Sequence, residues 1–200
     1  MSDFSAYGII ILAAGNSSRL GEPKQLLKFN GKSLLRHVAE ESVAAATAPV
    51  VVVTGSNHKT IGDEVAEFPV MLAHNPSWQQ GMASSISVGL NALLKISPKL
   101  HGVIITVSDQ PFITSALFQK LIITGENTKC IVASAYDNTL GTPVLFQNQH
   151  FEHLLNLKGS EGAKKLLKKF EDDVTEVLFE LGRIDIDTKE DYDNLLTNKL

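Results

Sequence analysis

Cysteine is almost absent. Cys130 is the single one in 200 residues, so no intramolecular disulfide can form and the chain suits a reducing compartment. It opens the apolar run Cys130-Ile-Val-Ala and is expected in the core, not as a nucleophile. An excess of positive charge is missing too: 18 Lys and Arg against 22 Asp and Glu give a formal charge of −4. Such a balance offers no electrostatic footprint for nucleic acid or an anionic membrane. Lys164, Lys165, Lys168 and Lys169 are spaced to lie on the outer side of a helix, as a solvated face. No apolar run approaches membrane-spanning length and no charged-then-apolar leader opens the chain, so a cytoplasmic protein is expected.

Several motifs are also lacking. A Walker loop needs a glycine five residues before Gly31-Lys32-Ser33, and Leu26 stands there. Gly15 and Gly21 are six apart, so the dinucleotide fingerprint Gly-x-Gly-x-x-Gly is absent after the first apolar run, which argues against a dehydrogenase. The six histidines, His58, His74 and His101 among them, show no metal-ligand spacing and read as structural. No Ser-His-Asp or Cys-His arrangement supplies a protein nucleophile.

What is present is an alternation of β-branched runs with helical periodicity. Strands are expected over 8–14, 50–54, 69–73, 102–108 and 130–135, with a short one at 143–146 and another over 173–180. Helices are expected over 33–47, 84–96, from Thr114 onward, over 160–170, and after the capping box of Thr188 and Asp191. The pattern predicts an α/β protein, a three-layer α/β/α, Rossmann-like, mostly parallel sheet. At this length a single domain would bury about 70% of its unfolded surface. We read residues 1–200 as one domain, with a first half over about 1–110 and a second half over about 111–200.

Ligands of such sheets bind beyond the carboxyl ends of the strands, where Ala13–Gly15, Gly55, Asn75 and Asp109 all fall. The run Gly8–Gly15 ends in small residues that leave room for an anion beside backbone N–H groups. Arg19 and Lys24 follow five positions apart in a glycine-punctuated loop and supply charge where a triphosphate would lie. Lys24 is assigned to the α-phosphate and Arg19 to the β- and γ-phosphates. Asp109 ends the apolar run 103–108 ahead of Pro111, a place suited to holding Mg²⁺, which favours one or two carboxylates plus phosphate oxygens and water. Nucleoside recognition is expected from the backbone of Leu12, Ala13, Ala14 and Gly15, from Asn75, and from Gly81, Ser84 and Ser85, with one serine free of helix capping. Met82 either lines the base pocket or packs.

The stretch LAAGNSSRLGEPKQLL over 12–27 resembles the loop that marks the MobA-like nucleotidyltransferases, the molybdenum cofactor cytidylyltransferases in particular. The resemblance extends through Asn75-Pro-Ser-Trp-Gln-Gln-Gly81, Ser108-Asp-Gln-Pro111, Gly141-Thr-Pro-Val-Leu-Phe146 and Asp185-Ile-Asp-Thr-Lys-Glu-Asp-Tyr192. It implies a fold of the nucleotide-diphospho-sugar transferase type and the same roles for Arg19, Lys24 and Asp109. It also implies Asp187 as the second Mg²⁺ ligand, with Asp185 in reserve. In the resembling family Leu-Ala-Ala-Gly accompanies CTP and Leu-Ala-Gly-Gly accompanies GTP. The methyl of Ala14 narrows the base slot and favours CTP, on a scale of about 1–3 kcal/mol.

The activity so implied is transfer of CMP from CTP to the phosphate of molybdenum-loaded molybdopterin, with release of pyrophosphate and transient contact with a molybdenum hydroxylase. Trp78, Phe112 and Phe146 are aromatic candidates for stacking on a pterin, each more often a core residue. Two departures from the family pattern fall in the second, acceptor-binding half: Thr142 where histidine is usual, and Ser160 and Lys164 where aspartate and arginine are usual. They keep open another phosphorylated acceptor, such as a sugar or polyol phosphate. A catalytically silent cofactor carrier is the third reading, and the joint presence of Arg19, Lys24, Asp109 and Asp187 argues against it.

Overall fold

The computed structural model describes residues 6–15 and 20–197. Nine strands and seven α-helices are seen among them: β1 Tyr7–Ala13, β2 Lys28–Phe29, β3 Lys32–Ser33, α1 Leu34–Ala45, β4 Val50–Thr54, α2 His58–Glu64, β5 Val70–His74, α3 Met82–Ile96, β6 Gly102–Val107, α4 Ser115–Thr128, β7 Ile131–Tyr136, β8 Thr139–Gln147, α5 Phe151–Leu155, α6 Ala163–Lys169, β9 Val174–Leu178 and α7 Lys189–Leu196.

Seven strands form one sheet in the order β5-β4-β1-β6-β8-β7-β9. Only β8 runs against the others, antiparallel to both β6 and β7. The rest of the sheet is parallel, as expected of a Rossmann-like α/β/α arrangement. Its central strands read as unbroken apolar runs because both faces are covered. Ile10 of β1 packs with α3, α5 and α6 on one side, whereas Ile9 and Ile11 pack with α1 and α4 on the other. Successive side chains of a strand point to opposite faces, so burying both faces demands consecutive β-branched residues.

Helix faces follow the expected periodicity. Leu34, Leu35, Val38 and Ala39 are buried, as are Ile86, Leu90 and Leu93 of α3 and Leu117, Leu121 and Ile122 of α4. Thr114 caps α4, its hydroxyl accepting from Leu117 N–H at 3.2 Å. Thr188 and Asp191 form the anticipated capping box of α7. Lys164, Lys165, Lys168 and Lys169 are exposed along α6.

Other elements differ. The short strand expected at 143–146 is the end of β8, nine residues long, because Asp137 and Asn138, with φ of 47° and 55°, turn β7 straight back into it. The helix expected over 160–170 begins at Ala163, and the strand expected over 173–180 ends at Leu178. The helix expected from 84 begins at Met82 behind Gly81, so Ser84 and Ser85 lie inside its first turn. Helices α2 and α5 are too short to announce themselves by periodicity. Cys130 is half-buried in the turn before β7, not a core residue.

Candidate nucleotide and carboxylate site

β1 and β6 are neighbours, with Leu12 opposite Val107. Their carboxyl ends therefore deliver Ala14, Gly15, Ser108 and Asp109 to one place. Gln25, 1% exposed, pins this end. Its amide N–H groups donate to the carbonyls of Ala13 at 3.2 Å and Gly15 at 2.9 Å. That role escaped the sequence reading, although Gln25 stands beside Lys24 in the quoted motif.

Gly55, after β4, is fixed from the same side. A Cβ there would lie 2.3 Å from the Ala14 carbonyl oxygen and 2.9 Å from the Trp78 ring. Only glycine allows so close an approach.

A cleft of about 260 Å³ opens at these strand ends. Leu12, Ala14 and Gly15 form its floor, Trp78, Met82 and Ser85 a wall, and Lys24 and Asp109 one end. Gly81 also lines it. Its φ of 107° and ψ of −179° lie in a region essentially reserved for glycine, and a Cβ would meet the Gly159 carbonyl oxygen at 2.3 Å. Ala83 N–H donates to that same oxygen at 3.2 Å, so the loop carrying Ser160 backs the wall of this cleft.

The remaining expected contacts support the wall from behind. Asn75, 1% exposed, donates to the hydroxyls of Ser84 at 2.8 Å and Ser85 at 3.0 Å and accepts from Ser77 N–H at 3.0 Å. Ser84 donates onward to the Gly81 carbonyl at 2.8 Å. Asn75 and Ser84 thus set the shape of the wall, and Ser85 faces the cleft. Ala13 and Gly55 are behind it. Arg19 lies outside the described residues. Phe146 is fully buried in the core, and Phe112 packs edge-on against Phe29, so neither offers a stacking face here.

Lys24 begins a single turn of 3₁₀-helix behind Pro23. Its ammonium contacts Asp109 Oδ2 and lies 2.9 Å from Asp187 Oδ1. Burial works against the charge, but Asp109 and then Asp187 outweigh it, leaving the Lys24 pKa above its ordinary value. Asp187 is held here by its neighbours. Ile186, fully buried with Leu27, Leu34 and Leu195, donates its N–H to the Asp109 carbonyl at 3.3 Å, and Asp187 N–H donates to Asp191 at 3.1 Å. Asp185 is close enough that burial, then Asp109 and Asp187, push its carboxyl upward.

Asp109 Oδ1 is buried with no hydrogen-bond partner among the described residues. An orphaned carboxylate oxygen beside a second carboxylate is a hard, all-oxygen donor set that fits Mg²⁺. No group of three or more His, Cys, Asp and Glu side chains converges as a metal cage among the described residues.

A wider cleft of about 990 Å³ lies toward the other edge of the sheet, between the β7–β8 turn, α6 and the turn 180–183. Tyr136, Lys164, Lys168 and Arg183 border it. Tyr136 connects the two regions. Burial first and the charge of Asp185 next raise its pKa, while hydrogen bonding to Thr142 and Gln110 opposes the shift. Gln110, 2% exposed, in turn donates to the Gly182 carbonyl at 2.9 Å.

Fold and strand-end chemistry together define a Rossmann-like nucleotidyltransferase. The sequence matches the MobA-like NTP transferase domain over residues 9–174, and the chain belongs to that family. The crystal structure of Rv0371c from Mycobacterium tuberculosis H37Rv is similar, with a TM-score of 0.83 at 26% identity, covering 96% of this chain and 98% of that one. Purine catabolism protein PucB of Bacillus subtilis (strain 168) is 26% identical over 92% of this chain and 93% of its own length. Nicotine blue oxidoreductase of Paenarthrobacter nicotinovorans is 28% identical over 70% of this chain and 67% of its own length. The molybdenum cofactor cytidylyltransferase of Escherichia coli (strain K12) is 26% identical over 58% of each. No helix among the described residues is long and apolar enough to cross a membrane.

Proposed function

We propose that the protein transfers CMP from CTP to the phosphate of molybdenum-loaded molybdopterin, releasing pyrophosphate. The observation that carries this reading is Lys24 between Asp109 and Asp187 at the end of the cleft floored by Ala14. The similarity to a molybdenum cofactor cytidylyltransferase supports the acceptor.

The cytidine base occupies the small cleft, whose volume of about 260 Å³ lies below the roughly 300–1,000 Å³ of ordinary small-molecule sites. The methyl of Ala14 takes space that a purine would use. Lys24 neutralises charge on the α-phosphate as an oxygen of the acceptor phosphate bonds to that phosphorus and the bond to the β-phosphate oxygen breaks. Arg19 is assigned to the departing β- and γ-phosphates. Such prepositioned charge stabilises the transition state without reorganising during the reaction. The acceptor is already an anion at neutral pH, so no protein nucleophile or general base is needed. Asp109 and Asp187 would hold Mg²⁺, which supplies further charge neutralisation on the phosphates when bound. The acceptor enters from the wide cleft beside Tyr136, and a transient encounter with a molybdenum hydroxylase would receive the product.

A second reading keeps the chemistry and changes the acceptor to a sugar or polyol phosphate. Its support is the pairing of Thr142 with Tyr136 and the position of Lys164 on the wide cleft, where the chain departs from the pattern it resembles.

The test is pyrophosphate release with Mg²⁺ and each of CTP, GTP, ATP and UTP, with and without molybdenum-loaded molybdopterin. CTP-selective release that requires the pterin is expected. Release that responds only to phosphorylated sugars or polyols would move the reading to the second acceptor. CTP binding with no turnover on any acceptor would leave a silent carrier.

A further inference from the structure

If Asp109 and Asp187 seat a divalent cation, as the reading above holds, the ammonium of Lys24 competes with it, because it engages an oxygen of each carboxylate. It contacts Asp109 Oδ2 and stands 2.9 Å from Asp187 Oδ1. The Lys24 and Asp109 side chains are only 20% and 11% exposed, so water screens this contact poorly. We infer that Lys24 is a placeholder for the cation: it keeps the two carboxylates together, weakens their hold on a bare divalent ion, and gives way only when nucleotide arrives.

The reasoning is electrostatic. Two carboxylates brought close without a counter-charge repel each other, and an ion pair broken on one side leaves an uncompensated, partly buried charge. A bare cation must compete with the Lys24 ammonium for the oxygens it engages, and it offers the ammonium no anionic partner in exchange. A cation arriving with a nucleotide brings that partner with it, because the α-phosphate is an anion within the cleft that Lys24 also lines. Nucleotide and cation then each strengthen the binding of the other, and linkage makes the two effects equal.

Local structure permits the exchange. Pro23 and the 3₁₀ turn fix the backbone of Lys24, and Gln25 clamps that turn to the end of β1. The side chain can therefore move while its root stays in place. Asp109 Oδ1, buried and without a hydrogen-bond partner among the described residues, gives the incoming cation its first oxygen.

The test is Mn²⁺ binding followed by the electron paramagnetic resonance of the free ion, with purified full-length protein. Wild type is expected to bind Mn²⁺ weakly alone and at least about tenfold more tightly with CTP. Lys24→Met is expected to bind Mn²⁺ without nucleotide at least about tenfold more tightly than wild type, and to lose most of the CTP dependence. Adding Asp109→Asn to Lys24→Met should remove the gain. Lys24→Gln, which retains polarity, serves as the second variant, with circular dichroism reporting folding in each case. Wild type gaining Mn²⁺ affinity with CTP while neither variant gains it alone would overturn the placeholder and leave the metal site standing. No Mn²⁺ binding by any form, with or without CTP, would overturn the metal site as well.

Discussion

The two clefts at the carboxyl ends of the sheet are built by different means. The one between β1 and β6 combines backbone and short side chains, Ala14, Gly15, Gly81 and Ser85, with the larger Leu12, Lys24, Trp78 and Met82, and buried Gln25 and Asn75 brace it. The one beyond β8 is almost four times as large, about 990 Å³ against 260 Å³, and is bordered by the exposed long side chains of Lys164, Lys168, Glu176 and Arg183. Long side chains lose up to about 2 kcal/mol of rotamer freedom when ordered. They define a surface loosely and are replaced without disturbing the core. Glycine at a forbidden angle and an amide clamped to two carbonyls allow no such freedom. Under the proposed function, the phosphate chemistry would belong to the rigid cleft and the choice of acceptor to the adaptable one.

The sharpest way to test this division is Lys24→Ala. Single-turnover rates should fall by about 10²–10³-fold, the scale for loss of one preorganised charge-stabilising group, while CTP affinity falls less. Unchanged turnover would remove Lys24 from the reaction and make the rigid cleft a binding site only.

Gly81→Ala is the next step down, and it acts through the wall. The substituted residue would need a backbone conformation that only glycine holds easily, and its methyl would collide with the Gly159 carbonyl. A loss of about 1–3 kcal/mol in stability is expected, together with a raised KM for CTP, measured by denaturant melts and initial rates. Loss of stability with an untouched KM would separate the wall from nucleotide binding.

How much of this was legible beforehand depended on the kind of interaction. The central strands were readable because burial of both faces requires consecutive β-branched residues, as in Ile9–Ile11, and no solvent-facing side chain interrupts the run. The pairing of Asp187 with Asp109 was expected only because motifs far apart in the chain resembled one family, and the Lys24 ammonium between them was not expected at all; nothing local in Asp187 says that Ile186 will anchor it beside Asp109. The clamp made by Gln25 is invisible for the same reason, since a glutamine that bonds backbone carbonyls looks like any solvated one. Asn75 shows the converse. Its place at the end of β5 marks the neighbourhood, but which of its atoms face Ser84 and Ser85 is decided by the packing of α3. Cys130 misled because an apolar run was extended one residue too far into a turn.

A smaller change, Ala14→Gly, probes the floor of the rigid cleft. Removing the methyl should raise kcat/KM for GTP relative to CTP by about tenfold, within the 1–3 kcal/mol that a single carbon group commands. An unchanged ratio would place base selection on Met82 or Ser85 instead.

Lys164→Ala carries the smallest expected effect and bears most directly on the comparison. Lys164 is exposed on α6 and borders only the wide cleft, so its charge is well screened and worth no more than about 1 kcal/mol. The KM for the acceptor should therefore rise by at most about fivefold, while the KM for CTP and the melting temperature stay as in wild type. The effect should shrink as salt is raised, because screening acts on an exposed charge before it acts on a buried one. A rise in the KM for CTP instead would show that the two clefts share one substrate, and that the division between rigid and adaptable regions does not coincide with the division between nucleotide and acceptor.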